Sequence, residues 1–124
     1  MYFNYKGFPS IVLMALCDAD FCFLLIDYGQ FGRISDAGVY QASPISLLLE
    51  DFVPKQTFKV NGSNTKIPYT AIWDEAFPFK TYLMKPFASR TLDAKRRIYN
   101  YRHSRARHTV ECAFSILASK FENF

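Results

Sequence analysis

The chain has 124 residues, half of them hydrophobic, with thirteen Phe, eight Tyr and a formal net charge of +4. That length and composition suit one globular domain, residues 1–124, and exclude a disordered or low-complexity chain. The apolar runs are too short to cross a bilayer and no signal peptide is visible. Cys17, Cys22 and Cys112 form no C-x-x-C pair, so the expectation is a soluble chain with buried thiols in a reducing, intracellular compartment.

The first ten residues, MYFNYKGFPS, are aromatic-rich and read as a lead-in to a strand. The run IVLMALC over 11–17 is apolar throughout, as in a strand buried on both faces. Asp18-Ala19-Asp20 is a polar break, and FCFLLI over 21–26 is a second apolar run. Two such runs around a three-residue break predict an antiparallel hairpin of central strands. DYGQFGR, over 27–33, reads as a loop.

Ser35 or Asp36 is placed to cap a helix through Val39 and Tyr40. Ser43-Pro44 then supplies a fresh cap and a first-turn proline, so a helix restarts there and runs to about Glu50. Residues 51–66 hold Pro, Asn, Gly and Ser and read mostly as loop. IPYTAIW, over 67–73, reads as a strand parallel to an earlier one, with Asp74 at its C-terminal end. Residues 77–87 are aromatic and broken by proline, giving a short helix or irregular cover. Thr91 or Asp93 opens a long final helix. Val110, Phe114, Leu117 and Phe121 recur at helical spacing and predict its apolar stripe. The order strand, strand, helix, strand, helix predicts an α/β domain.

Charge is unevenly placed. Between Lys85 and Arg107 there are eight Lys or Arg and one acid, Asp93. A basic stretch of this kind suits a polyanion, or forms a solvated helix face. Glu111 has Arg107 and His108 as its neighbours one helical turn back. Sites in α/β sheets gather at the carboxyl ends of strands. An Asp and a Glu meeting there offer the hard oxygen ligands that Mg²⁺ and Mn²⁺ require. Asp74 is equally a turn residue, and Glu111 equally a surface ion-pair partner.

Two stretches carry a family resemblance. WDEAFPFKTYLMKPF is followed by LDAKRRIYNYRHSRARHTVECAFSILASKF. Together they resemble the C-terminal part of the DDE endonuclease domain of PIF/Harbinger-type transposases. The upstream YFNYKGFPSIVLMALCDADFCFLLIDYGQFGRISDAGVY is similar to the middle of that domain. The resemblance implies an RNase H-like fold and metal-dependent cleavage of DNA with Mg²⁺ or Mn²⁺ bound by three carboxylates. The second acid of that triad falls on Asp74 and the third on Glu111. The first lies upstream of the N-Y-K segment at which this chain opens. The expectation is therefore a domain truncated at its N-terminus that does not cleave DNA alone, or a non-catalytic DNA- or protein-binding module.

Asp18 and Asp20 fall in the family's hairpin turn, and Asp36 in the loop before its first helix, mainly as a cap. Lys85, Arg102, Arg105 and Arg107 are the candidate phosphate contacts. The resemblance also implies a nuclear location and a separate DNA-binding partner protein. Two positions depart from the family's pattern. Trp73 replaces the usual Gly before the second Asp and is expected to crowd a metal site; Ser115 replaces a Gly and is expected to loosen helix packing.

Overall fold

The computed structural model describes residues 11–31 and 35–121. The expected lead-in over residues 1–10 lies outside the described residues. The architecture is α/β: short mixed β pairs with three α-helices.

The first pair is β1 (Ile11–Cys17) against β2 (Phe23–Phe31), antiparallel as predicted. The connection is wider than the sequence suggested. Asp18 Oδ1 accepts the amides of Asp20 and Cys22 at 2.9 and 3.0 Å, and Phe21 takes φ 63°. A left-handed non-glycine residue costs on the order of 1–2 kcal/mol. The polar turn therefore extends into the apolar run, and β2 begins at Phe23 rather than at residue 21.

β2 also runs on through the stretch read as a loop. The register shift between Val12/Leu13 leaves Gly29 as an extra residue, with φ 102°. The glycine thus marks a β-bulge, not the end of the strand. Nor is β2 central. Among the described residues it pairs only with β1, and its exposed Leu24, Ile26 and Tyr28 alternate with half-buried Phe23, Leu25 and Asp27. Asp27 Oδ2 is buried with no hydrogen-bond partner among the described residues.

Helices α1 (Asp36–Ala42) and α2 (Ile45–Phe52) form where the capping residues predict them. Ser35 Oγ accepts the Gly38 amide at 3.3 Å. Buried Ser43 accepts the Ile45 amide at 3.1 Å, so it caps α2 in spite of the following proline. Within the stretch read mostly as loop, residues 57–59 and Lys66 are strand, and residues 67–68 fall in the expected strand. They form an exposed antiparallel ribbon, β3 (Thr57–Lys59) with β4 (Lys66–Pro68), closed through Gly62 at φ 77°.

The strand expected over 67–73 is split by Pro68, which has no amide to donate. Its second half is β5 (Ala71–Ile72), parallel to β6 (Leu83–Met84), a later strand inside the stretch read as irregular cover.

Helix α3 (Ala94–Lys120) spans 27 residues. Asp93 caps it by accepting the Arg96 amide at 2.8 Å. Its approach is held by Asn100, whose amide donates to the Phe87 carbonyl and accepts the Phe87 amide, both at 2.9 Å. Tyr99 OH adds a bond to the Lys85 carbonyl. Val110, Phe114 and Leu117 are half-buried, and Phe114 meets Phe23 at 5.3 Å. Phe121 is 58% exposed at the C-cap and leaves the predicted stripe.

The core joins Met14 of β1, Val39 and Tyr40 of α1, Ile45 and Leu49 of α2, Val53, Ala71, Phe77 and Leu83. Trp73, Tyr40 and Phe77 pack as a three-ring cluster with centroids 5.0 to 5.9 Å apart. Such edge and tilted pairs add roughly 0.5–1.5 kcal/mol each beyond area burial.

Candidate functional site

Asp74 stands two residues past the end of β5, after Trp73. Its Oδ1 accepts the Ala76 amide at 3.0 Å and so shapes the turn into Phe77. Its Oδ2 faces Arg107 of α3 at 3.9 Å. One oxygen thus carries the turn role, and the other meets a cation.

Glu111 lies one turn further along the same side of α3. Its side chain is 60% exposed and receives His108 Nδ1 at 3.0 Å. The structure thus brings Asp74 to Arg107 and Glu111 to His108. Ser115 donates to the Glu111 carbonyl at 3.0 Å and faces solvent, so no close helix packing rests on it. Trp73 directs its ring into the Tyr40–Phe77 cluster.

The predicted cations separate. At about 100° per residue, Arg102 and Arg105 share one face of α3 and Arg107 points away from them. Arg102 and Arg105 line a surface hollow with Tyr101. Lys85 Nζ donates to the Glu75 carbonyl at 3.4 Å, next in the chain to Asp74.

His103 is a site residue that sequence reading missed. It is buried, and its Nε2 donates to the Met84 carbonyl at 3.3 Å, which requires the neutral Nε2–H tautomer or the imidazolium. Burial lowers its pKa, with Arg107 adding to the effect, while the Met84 carbonyl and Asp74 oppose it. It fixes α3 against β6 beside the Asp74–Arg107 pair. Its position i−4 from Arg107 was the available signal.

A cleft of about 850 Å³ runs beside these groups. Residues 12–19 of the first strand and turn line it, as do residues 69–74 and Arg107, Val110 and Phe114 of α3. Successive strand residues point to opposite faces. A cleft that touches every one of them runs along the strand's edge. β1 and β5 each lack a second strand partner among the described residues. Asp36, in the first turn of α1, lines the same cleft as Asp74, and Glu111 does not.

Carboxylate oxygens are the donors that Mg²⁺ and Mn²⁺ take. Among the described residues, however, no three His, Cys, Asp or Glu side chains stand together as a ligand group. Asp74 and Glu111 alone do not complete one. Among the described residues, no helix is long and apolar enough to cross a membrane.

Comparison with known proteins agrees with the motif reading. The chain is 27% identical over 120 residues to the proteins named "Putative nuclease HARBI1" of Bos taurus and of Homo sapiens. The match covers 97% of this chain and 31% of each relative, so the chain spans about a third of the length of the curated relatives it matches. No solved structure matches. The family described as DDE superfamily endonuclease matches residues 1–124. The chain belongs to that family, and its likeness to a Harbinger transposase-derived nuclease is shown.

Proposed function

We infer that this chain is the part of a metal-dependent DNA endonuclease that supplies the second and third acids, Asp74 and Glu111. The observation that carries the reading is their placement. Asp74 stands just past the end of β5 and meets Arg107, and Glu111 stands one turn beyond Arg107 on the same helix.

The cleft supports an RNase H-like sheet for the whole domain. A further strand laid between the unpaired edges of β1 and β5 would join two separate pairs into one sheet. A carboxylate on such a strand would be brought towards Asp74. In the full set, the three carboxylates would hold Mg²⁺ or Mn²⁺, which would supply charge stabilisation for phosphodiester cleavage. Arg102, Arg105, Arg107 and Lys85 are the proposed phosphate contacts, with DNA as substrate. A nuclear location and a DNA-binding partner protein belong to the same reading.

Among the described residues no third ligand stands with Asp74 and Glu111, so no DNA cleavage by these 124 residues alone is expected. The test is nicking of supercoiled plasmid in Mn²⁺. No nicking above the Glu111→Gln background is expected. Nicking that vanishes in Glu111→Gln would show that two acids suffice.

A second reading has its own support. Each acid already faces a cation of α3, as in a module that binds DNA without cutting it. In that case Asp74→Ala leaves DNA affinity unchanged, while reversing the charge at Arg102 and Arg105 abolishes it.

A further inference from the structure

The face of α3 turned away from the core sets two of the proposed phosphate contacts, Arg102 and Arg105, beside an exposed aromatic ring. Ile98, Tyr101, Arg102 and Arg105 follow the spacing i, i+3, i+4, i+7 and form one stripe. Such a stripe is ordinarily apolar when it packs on a core. Here it is open to solvent, with Ile98 58% and Tyr101 63% exposed.

The ring of Tyr101 is held in place. The Arg105 guanidinium sits over it at 5.8 Å from the centroid, and Arg105 Nη1 donates to the phenol oxygen at 3.5 Å. Arg102 lines the same open surface hollow with Tyr101 and Arg105. An aromatic face with an apolar neighbour and two permanent cations matches the needs of an unpaired nucleotide. The base stacks on the ring, and the flanking phosphates meet the guanidinium groups. A paired base keeps its faces inside the duplex stack and cannot use the ring.

We propose that Tyr101, with Arg102 and Arg105, is a stacking platform for an unpaired nucleotide, on the face of α3 opposite the Asp74–Arg107–Glu111 face. Counting about 100° per residue, Ile98 and Arg107 lie roughly 180° apart around the helix. The platform is therefore a second contact for a single-stranded segment, distinct from the carboxylates. It rests on the reading of the chain as nucleic-acid binding.

The experiment measures affinity of the full chain for a labelled oligothymidine and for a duplex of mixed sequence at one fixed salt concentration. Tyr101→Ala should weaken oligothymidine binding on the order of tenfold and duplex binding less than about twofold. Tyr101→Phe, which keeps the ring, should stay close to the wild type. Tyr101 is exposed, and circular dichroism of the variants should overlay.

Equal losses for both DNA forms, or no loss for either, would overturn the platform. Duplex binding without oligothymidine binding would overturn the platform alone. Binding to neither form would overturn the nucleic-acid reading with it. Binding of an acidic peptide in place of oligothymidine, lost in Tyr101→Ala, would reassign the face to a protein partner.

Discussion

The Asp74 carboxylate and the Arg107 guanidinium face one another at 3.9 Å between the end of β5 and the middle of α3. Both side chains are about one-third exposed, and the pair is too long for a hydrogen bond. Ion pairs of this kind contribute roughly 0–1 kcal/mol. The Arg107→Ala substitution should therefore change unfolding free energy by less than about 1 kcal/mol in urea titrations. Asp74→Ala also removes the bond to the Ala76 amide and should cost about 1 kcal/mol more. Equal costs for the two would show that the turn bond contributes nothing.

His103 gives the chain a pH dependence of defined sign. Burial lowers its folded pKa, so the folded state binds fewer protons than the unfolded state, whose His titrates near about 6.5. Its contribution is complete above that unfolded value and declines as pH falls through it towards the lowered folded value. The His103→Gln variant keeps a donor for the Met84 carbonyl and does not titrate. Between pH 8 and 5 the wild type should lose more melting temperature than this variant. Parallel losses would remove His103 as the cause.

Lys59 and Lys66 stand directly opposite each other in the β3–β4 ribbon. Residues 52–73 contain no acid. Like charges paired across strands are unfavourable, and an opposite pair contributes roughly 0.2–1 kcal/mol. Lys66→Glu should raise the urea midpoint, most clearly at low salt. A lower midpoint would mean that the two ammonium groups already diverge into solvent.

Much of the helical structure was legible because each helix carries its own start signal. Ser35, Ser43 and Asp93 cap where their side chains allow, and Pro44 and Asp93 mark the same boundaries in the sequence. The strands were less legible because their limits are set by partners. Gly29 reads as a loop residue until Val12 and Leu13 show that it is a bulge. Pro68 divides one apolar run between two different pairings. Among the site residues, Asp74 stands two residues past β5, close to the strand end that the apolar run predicts. Its pairing with Arg107, and the split of Arg102 and Arg105 from Arg107, depend on how α3 is rotated against β5. The buried His103 was hidden among exposed Arg residues because helix rotation, not composition, decides which of them faces inward.

The Asn100 side chain supplies both hydrogen bonds that a neighbouring strand would give to Phe87. The segment between β6 and α3 has little regular structure of its own, yet Phe87 within it is anchored to the second turn of a helix. Its amide proton at Phe87 is then released only when the bond to Asn100 breaks. In hydrogen exchange, Phe87 should carry the protection of α3 rather than that of a loop, and the connection and the helix should order as a single kinetic unit.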